Sequence, residues 1–517
     1  MKIALFGVPG NMGTDVFKEL VKESYIDEIN LLVFKKKGLN PLLSFAKKYK
    51  KKVNVTFGSV ADIEKVRETI KGVDYLINMA AVIPPESDKN PHAAIEANEI
   101  GPRVIVQAIE ELGDKQPKFI HTSTIGFYGD RNYLHPFAEV GDPLVPSPFD
   151  LYALTKMRGE LTVLESNVKT WTVIRQTAML YDKLLFKNIS DGLMFHTCFN
   201  TPLEWSTSRT SAVLMRNILR KDVAGELNET NFWKHCFNMG GGLAARVTGY
   251  DTFAMGFGTF GAKVEQFFDT NYNSMRNFHG EWYSDAYKLN DLFDYQHESV
   301  EDFWNHILKK NPYFKLAVIV PKKILKKIII TRLQKDDNAP HYWFKHNDEA
   351  RMLAYFKGSE NFKNIDKDWK NFNLLVKNKG GNGEDIDYES MKTNITRLDH
   401  FFDIDKPLSE VTIEDLRNYA TARGGKLISE TFNKGDVYAP IEWETADNER
   451  FIARPYSVLF CGHWYNVSYK ENSWNFDALA KTDKLAAQIW YDSHDKDEDI
   501  FYYYDENFKA HYKKLDK

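Results

Sequence analysis

A glycine-rich loop near the start of the chain constrains the fold more than any other feature. An apolar run over residues 3–6 leads directly into a loop that contains, in order, Gly7, Pro9, Gly10, Asn11, Met12 and Gly13. This spacing predicts a buried strand that turns sharply into a helix. The first glycine permits the tight turn, the second lets backbone approach a phosphate, and the third lets the helix pack on the strand. Because helix N–H groups would then face an anion, the loop predicts a dinucleotide pyrophosphate site, although alone it is a weak signal.

In the residues that follow, apolar segments alternate with helical patterns, as in an open parallel sheet. Further apolar strands, separated by helical patterns, are predicted at residues 29–34, 53–57, 75–78, 119–122 and 172–174. Alternating strands and helices are typical of a doubly wound α/β fold of the Rossmann type. In such a fold the ligand binds beyond the carboxyl ends of the strands, so the loops after each strand should converge.

Three side chains in this region form the strongest catalytic candidate. Tyr152 and Lys156 are four residues apart, which places both on one face of a helix. The ammonium there would lower the pKa of the phenol and reach a ribose hydroxyl. Thr124, in a hydroxyl-rich run after the fifth strand, would hold the reacting oxygen. A Tyr-x-x-x-Lys pair alone is a weak signal in a chain with 26 tyrosines, but its order after the glycine loop favours a catalytic role.

With these motifs, roughly residues 1–310 resemble the extended short-chain dehydrogenase/reductase family, whose members are epimerase/dehydratase-like. The resemblance rests on the glycine loop, Ala80-Ala81, Ala97-Asn98-x-x-Gly101, Ser123-Thr124, Tyr128-Gly129, Tyr152-x-x-x-Lys156, Arg175 and Phe237 to Gly242. It implies that Tyr152 exchanges a proton with the substrate oxygen, that Lys156 sustains the phenolate character and that Thr124 orients the substrate. Ser123 is the alternative to Thr124.

The resemblance also implies a set of cofactor-binding residues beyond the glycine loop. They are Phe34, Lys35, Lys36, Ser59, Val60, Ala80, Ala81, Val82, Asn98, Tyr152, Lys156, Gln176, Thr177 and Met179. Asn98 has a second interpretation, which we favour over a direct catalytic part, as a polar residue that closes a helix onto the sheet. Gln176 and Thr177 replace the proline or aromatic pair that is frequent in the family.

The end of the second strand indicates which nicotinamide cofactor is used. An acidic residue there would bind the free ribose 2′-hydroxyl of NAD, but this chain has Phe34 followed by Lys35, Lys36 and Lys37. Three cations would instead meet a 2′-phosphate, so NADP(H) is favoured and NAD(H) is the alternative. A solvated lysine turn is the other interpretation of the run.

The composition of the chain argues against a membrane-spanning protein and against a disulfide-rich secreted protein. The formal charge is −4, 43% of the residues are hydrophobic, and no apolar stretch approaches the ~18 residues needed to span a bilayer. There is no signal peptide pattern, and three scattered cysteines do not form a disulfide framework. We therefore expect a cytoplasmic enzyme that binds neither nucleic acid nor a metal.

The length of 517 residues predicts more than one domain. Residues 1–310 should form the dinucleotide-binding domain, with a substrate subdomain interleaved at about 177–310. Residues 311–337 form a basic amphipathic linker, and 338–517 form a C-terminal accessory domain. We favour a linker helix docked on a neighbouring domain, and the alternative is peripheral membrane contact through residues 316–335.

The C-terminal region is rich in aromatic residues and is expected to be partly β. Thr412 and Asp415 predict a capping box that opens a helix ending before Gly424. The segment around Gly424 and Cys461 weakly resembles a zinc ribbon, but most of its cysteines are replaced, so a metal-free fold is expected. The aromatic residues could cover the active site, bind a hydrophobic substrate or form a homodimer contact.

These features predict an NADP(H)-dependent oxidoreductase that reduces a small-molecule carbonyl or oxidises a secondary alcohol, with a tyrosine as proton donor. Two alternatives are open. One is a nucleotide-sugar epimerase or dehydratase with bound NAD, which the missing strand-two acid disfavours. The other is a cofactor-sensing or scaffold protein without turnover, which would have no need for a proton donor.

Overall fold

A computed structural model describes residues 1–184, 192–259, 261–313, 320–369, 387–466 and 473–503. The strands are β1 Lys2–Phe6, β2 Glu28–Val33, β3 Lys52–Phe57, β4 Tyr75–Asn78, β5 Lys118–Thr124, β6 Phe137–Ala138, β7 Trp171–Gln176, β8 Met179–Leu180, β9 Pro202–Glu204, β10 Ser206–Thr207, β11 His235–Met239, β12 Arg246–Thr248, β13 Trp282–Tyr283, β14 Lys426–Leu427, β15 Ile441–Glu444, β16 Arg450–Ala453, β17 Ser473–Trp474 and β18 Tyr502–Tyr503.

The α-helices connect and cover these strands. They are α1 Asn11–Leu20, α2 Leu39–Lys48, α3 Ile63–Ile70, α4 Glu86–Lys89, α5 Pro91–Ile95, α6 Gly101–Glu110, α7 Leu151–Leu164, α8 Ser208–Val223, α9 Gly249–Gly258, α10 Ala286–Phe293, α11 Val300–Lys310, α12 Lys322–Leu325, α13 Thr331–Leu333, α14 Pro340–Lys345, α15 Glu349–Phe356, α16 Ser359–Asn364, α17 Tyr388–Met391, α18 Ile413–Ala422, α19 Phe476–Thr482 and α20 Lys484–Trp490.

Seven strands form one parallel sheet in the order β11-β7-β5-β4-β1-β2-β3. The chain order reverses next to β1, which is the switch point of a doubly wound sheet. The predicted Rossmann fold is confirmed. Ile3 pairs with Ile29 on one side and Tyr75 on the other, and it is fully buried. Strands covered on both faces read as continuous apolar runs, which is why the sequence reveals them.

The C-terminal region shares a hydrophobic core with the sheet domain. Trp171 of β7 lies edge-on to Tyr456, with ring centroids 6.1 Å apart. The Tyr456 hydroxyl accepts a hydrogen bond from the Cys236 N–H at 2.8 Å. The Tyr355 hydroxyl donates to the Pro148 carbonyl at 2.9 Å. Both hydroxyls are buried, so these hydrogen bonds stabilise the packing of the two regions.

Two buried carboxylates also contact basic side chains of the C-terminal region. His400 Nε2 lies 2.9 Å from Asp142 Oδ1, and Arg131 donates to the other oxygen of the same carboxylate at 2.8 Å. Arg397 Nε donates to Glu139 at 2.9 Å. Asp142 and Glu139 are both buried, so each needs these partners. The carboxylates of the loop after β6 therefore contact side chains of the C-terminal region as well as Arg131.

Within the C-terminal region the predicted capping box is confirmed. The Thr412 hydroxyl accepts from the Asp415 N–H, and the Asp415 carboxylate accepts from the Thr412 N–H. The helix α18 begins at Ile413 and ends at Ala422, shortly before Gly424 with φ +76°. β14, β15 and β16 form a three-stranded antiparallel sheet. The region is partly β, as predicted, with helices on either side in sequence.

Residues 314–319 of the predicted basic linker lie outside the described ranges, and residues 322–333 form a short helical stretch that packs against the cluster around Phe195. A π-helical turn over Lys326–Ile330 joins α12 to α13. Ile330 and Leu333 are buried in the same cluster as Phe195, and Lys326 Nζ lies 2.7 Å from Asp269. The apolar residues are therefore divided, because Leu325 and Ile329 pack against this cluster whereas Ile324 and Ile328 are 49% and 60% exposed. Among the described residues, no helix has both the length and the apolar character that crossing a bilayer requires.

Candidate functional site

A cavity of about 830 Å³ opens at the carboxyl ends of the central strands. The predicted site residues that line it are Gly7, Gly10, Asn11, Met12, Gly13, Ala81, Thr124, Tyr152, Lys156, Gln176, Thr177 and Met179. They lie at or beyond the carboxyl ends of four strands of the sheet, β1, β4, β5 and β7. The structure thus brings the glycine loop and the three catalytic candidates together in one place, where a doubly wound fold binds its ligand.

The glycine loop is as tight as its composition indicates. Gly7 has φ +90°, and a Cβ at this position would lie 2.5 Å from the Met79 carbonyl carbon. A Cβ on Gly13 would lie 2.5 Å from the Gly7 carbonyl oxygen. α1 begins at Asn11, directly after the loop. A side chain is therefore excluded at Gly7 and Gly13, and the first residues of the helix line the cavity, where their N–H groups can bind an anion.

The helix α7 positions the tyrosine and the lysine. Asp150 caps it, because the Asp150 carboxylate accepts from the Ala153 N–H at 2.9 Å. Lys156 is buried, and its Nζ donates to the Thr122 carbonyl at 2.6 Å. Burial lowers the pKa of Lys156 to about 8. The ammonium is thus held against the end of β5.

The pKa of Tyr152 is shifted upwards, in the direction opposite to the sequence-based expectation. Burial raises the pKa of Tyr152 to about 12, and a hydrogen bond with Thr124 opposes this rise. The sequence predicted that the Lys156 ammonium would lower the pKa of Tyr152. The ammonium does not have this effect, because it donates its hydrogen bond to the β5 backbone instead. At neutral pH the side chain is therefore a phenol, which can donate a proton.

Several polar atoms in the cavity wall lack partners within the chain. Over the described ranges, the hydroxyls of Thr122, Ser123 and Ser147 are buried, line the cavity and have no hydrogen-bond partner. Buried polar atoms are normally satisfied, so these hydroxyls indicate that a polar ligand completes the site. Together with the tight glycine loop, they fit a nicotinamide dinucleotide, which the backbone around Gly7 and Gly10 and the Lys156 ammonium would hold.

Other predicted cofactor residues do not line the cavity as it stands. They are Pro9, Phe34, Lys35, Lys36, Ser59, Val60, Ala80, Val82 and Asn98. Phe34 is 71% exposed just beyond β2, and Lys35 Nζ lies 5.6 Å from its ring centroid. The Ser59 hydroxyl donates to Glu96 at 2.7 Å. Phe34, Lys35 and Lys36 follow β2 and Ser59 follows β3, which is where the adenosine end of a dinucleotide would lie.

The Asn98 side chain connects two segments that border the cavity. Its amide accepts from the Val82 N–H at 2.9 Å, donates to the Val82 carbonyl at 2.9 Å and donates to the Thr155 hydroxyl at 3.1 Å. It therefore fastens the loop after β4 to α7. These contacts correspond to the structural interpretation of Asn98, in which a polar residue closes a helix onto the sheet.

Part of the cavity wall was not predicted. These residues are Phe149, Asp150, His196, Phe278, His279, Asn338, Arg351 and Tyr355. Arg351 pairs with Asp348 at 2.6 Å, and its guanidinium lies 5.2 Å from the Phe149 ring centroid. No motif in the sequence marks these positions. The C-terminal region therefore contributes directly to the cavity, through Asn338, Arg351 and Tyr355.

His196 and His279 are the two histidines in this wall, and they differ in their surroundings. His196 Nε2 lies 2.8 Å from the Asn338 carbonyl, and burial lowers its pKa to about 4. It is a neutral donor that ties the C-terminal region to the subdomain. His279 Nδ1 lies 3.2 Å from Asp150 Oδ2. Burial lowers the pKa of His279, but this carboxylate raises it by more.

Residues 3–175 match the model of the NAD dependent epimerase/dehydratase family. The chain is 27% identical over 179 residues to a protein of Monkeypox virus named 3 beta-hydroxysteroid dehydrogenase/Delta 5-->4-isomerase, a match that covers 34% of this chain and 49% of the viral protein. The protein of the same name from Vaccinia virus (strain Ankara) matches with the same identity and coverage. The chain spans about half the length of the curated relatives it matches.

Two solved structures with similar folds contain bound NAD. UDP-glucose 4-epimerase from Bifidobacterium longum, in complex with NAD+ and UDP, is 14% identical with a TM-score of 0.47, over 60% of this chain and 99% of that one. A double mutant of the dTDP-glucose 4,6-dehydratase DesIV from Streptomyces venezuelae is 17% identical with a TM-score of 0.47, over 62% of this chain and 100% of that one.

Proposed function

We propose that this chain, whose residues 3–175 match the NAD dependent epimerase/dehydratase family model, is an NADP(H)-dependent oxidoreductase. It would transfer hydride to a carbonyl-containing small molecule, or from a secondary alcohol. One observation carries the proposal: the glycine loop and the Thr124, Tyr152 and Lys156 side chains line a single cavity. A pyrophosphate cradle and a proton donor in one space are what carbonyl reduction requires.

Each of the three side chains has a separate role. The phenol of Tyr152 donates its proton to the oxygen of the carbonyl as it becomes an alcohol, and its pKa of about 12 keeps that proton in place at neutral pH. Thr124 hydrogen-bonds the phenol and orients the substrate oxygen. Lys156 is a buried cation in the cavity wall beside the end of β5, where its ammonium would hold a ribose hydroxyl of the bound nucleotide. The nicotinamide nucleotide, when bound, supplies or accepts the hydride.

The charges after β2 support a preference for NADP(H). Phe34, Lys35, Lys36 and Lys37 are exposed where β2 ends, and no acidic residue follows the strand until Asp62. Lys36 Nζ lies 5.3 Å from the ring centroid of Phe57, at the end of the neighbouring strand β3. The two cations that follow β2 form an electropositive edge that suits a 2′-phosphate better than a free hydroxyl.

The rest of the cavity wall suits a largely apolar substrate. Apolar and aromatic side chains predominate there, namely Ile83, Phe149, Tyr181, Leu193, Phe278 and Tyr355. Such a lining stabilises apolar ligands by desolvation. Because the curated relatives are named for a 3 beta-hydroxysteroid activity, a hydroxysteroid or ketosteroid belongs in the first set of compounds tested.

A cofactor assay tests the proposal. NADPH and NADH absorbance is followed with cyclohexanone, cyclohexenone, dihydrotestosterone and UDP-glucose, and cofactor released from the purified protein is identified by mass spectrometry. We expect ketone-dependent loss of NADPH absorbance. Conversion of UDP-glucose with tightly bound NAD and no net cofactor change would instead favour the epimerase class. Cofactor binding without any turnover would favour a sensor or scaffold.

A further inference from the structure

The basic helical stretch, residues 322–333, has an outward face that packing within the chain does not explain. Its inward face is docked, with Ile330 and Leu333 buried. Ile324 and Ile328, on successive turns, are exposed instead. Single exposed apolar residues are ordinary, but two on adjacent turns form a ridge. A helix that only linked two domains would carry polar residues on this face.

Cations flank the exposed isoleucines. Lys323 and Lys327 are exposed directly before the two isoleucines in the chain, and Arg332 is exposed about one turn beyond them. Lys326, in contrast, pairs with Asp269 at 2.7 Å. Within the part of the chain that the structure describes, no ion pair involves Lys323, Lys327 or Arg332. The outward face therefore combines an apolar ridge with uncompensated positive charge.

We propose that the outward face of the basic helical stretch binds the surface of an anionic phospholipid bilayer. A helix of this kind lies in the plane of the interface. Ile324 and Ile328 would enter the headgroup region, while Lys323 and Lys327 would reach the lipid phosphates on their long stems. Between residues 309 and 335 the sequence has nine basic residues and no acidic one, which favours an anionic surface. The inference goes beyond the proposed function, and the binding does not depend on it.

Two other partners fit this face less well. A nucleic acid would meet the cations, but it offers no apolar phase to the isoleucine side chains. In a symmetric contact between two copies of this chain, the same patch meets itself, so the lysines of the two copies would face one another and repel. Of the three partners, the bilayer alone offers an apolar layer and negative charge side by side.

The basic helical stretch is also connected to the cavity wall. Asn338, shortly after the stretch, lines the cavity, and its carbonyl lies 2.8 Å from His196 Nε2. Leu193 lines the cavity too, and Phe195 belongs to the cluster on which the stretch packs. Because apolar compounds partition into bilayers, the proposed contact would bring the cavity close to a phase in which apolar substrates dissolve.

Vesicle co-sedimentation tests the proposal with the full chain. Bound protein is measured with vesicles of phosphatidylcholine and phosphatidylserine and with vesicles of phosphatidylcholine alone, at about 0.1 M and about 0.5 M salt. We expect binding to the anionic vesicles that falls about tenfold or more at the higher salt, because screening weakens the attraction of each cation. Binding to the neutral vesicles should be weaker by a similar factor.

A first pair of substitutions tests the apolar ridge. Ile324→Gln with Ile328→Gln retains residues that favour a helix and should weaken binding to the anionic vesicles about tenfold, because less apolar area enters the bilayer. Ile395→Gln with Ile452→Gln removes two exposed isoleucines elsewhere in the chain. This matched control should bind as the wild type does.

A second pair tests the charge. Lys323→Gln with Lys327→Gln should weaken binding to the anionic vesicles about tenfold or more, because each cation near such a surface contributes about fivefold. Lys47→Gln with Lys48→Gln makes the same change at exposed positions of α2 and should have little effect. Near-UV circular dichroism establishes that each variant is folded. If one of the two test variants does not fold, the other decides the matter.

Three results would overturn the inference. Absence of wild-type binding to the anionic vesicles would exclude the contact. Wild-type affinity in either folded test variant would place vesicle binding on another part of the surface. A dimer in analytical ultracentrifugation that Ile324→Gln with Ile328→Gln dissociates, without vesicle binding, would assign the face to a contact between copies. Since sedimentation requires no turnover, failure of the proposed oxidoreductase activity is measured separately and leaves this test unaffected.

Discussion

His463 Nε2 lies 2.9 Å from Glu160 Oε1, so a side chain of the C-terminal region completes a buried charge pair on the helix that carries Tyr152 and Lys156. Glu160 is held from the other side by Arg175 at 2.6 Å, and both of these side chains are fully buried. The C-terminal region therefore supports the catalytic helix through direct contacts as well as by lining the cavity.

Removal of this imidazole should destabilise the protein. Burial lowers the pKa of His463, so the ring is neutral at pH 7 and its Nε2–H donates to Glu160. We expect His463→Ala to lower the free energy of unfolding by about 1–3 kcal/mol, because a buried carboxylate loses a donor. Urea unfolding measures the change. His346→Ala, at an exposed position, is the control, and equal stabilities of the two variants would contradict the role of His463.

Tyr152→Phe should abolish turnover and leave cofactor affinity largely intact, because only the proton donor is removed. We expect a fall in kcat of about 100-fold or more, which is typical for loss of a general acid. NADPH absorbance measures turnover, and fluorescence titration measures cofactor affinity. Tyr287→Phe, at a position 55% exposed, should behave as wild type. Comparable activity of the two variants would remove Tyr152 from the mechanism.

Reversal of charge after β2 should change cofactor preference. Lys35→Glu with Lys36→Glu is expected to weaken NADPH binding more than NADH binding, by about tenfold or more, because the 2′-phosphate would meet two anions. Fluorescence titration with both nucleotides gives the ratio. Lys47→Glu with Lys48→Glu makes the same charge change on the exposed end of α2 and should leave the ratio unaltered. Equal losses for both nucleotides in the first variant would argue against NADP(H).

Asp130 should make stability depend on pH. Burial raises the pKa of Asp130 to about 7, and its Oδ2 accepts from the Asn277 N–H at 2.8 Å. Since the folded carboxyl holds its proton more tightly than the unfolded one, its contribution to stability falls as pH rises from about 4 to above 7. Asp130→Asn keeps the acceptor without the charge, so its stability relative to wild type should increase by about 2 kcal/mol from about pH 5 to about pH 8.

Urea unfolding across this pH range checks the prediction for Asp130. Asp291→Asn, at an exposed position of α10, is the matched control and should show no such trend. If the difference between Asp130→Asn and wild type were constant across the range, the carboxyl would not titrate there.

The sheet could be predicted because each of its strands is specified by a short, continuous segment of the sequence. Each central strand is a short apolar run, and the observed bounds differ from the predicted ones by at most two residues at an end, as for β5 at Lys118–Thr124 against 119–122. The glycine loop and the Tyr152 and Lys156 spacing are local in the same sense. The pKa of Tyr152 was not predictable, because it depends on burial and on the Lys156 contact with the β5 backbone.

By itself the sequence determined the parallel sheet, the tight turn at Gly7 and the shared helix face of Tyr152 and Lys156, since periodicity and spacing act within a few residues. Only the tertiary structure decided that Arg351 reaches the cavity, that His279 meets Asp150 and that His463 meets Glu160. These contacts join segments that are distant in the chain. They arise from packing of the whole core, for which a single sequence carries no local pattern.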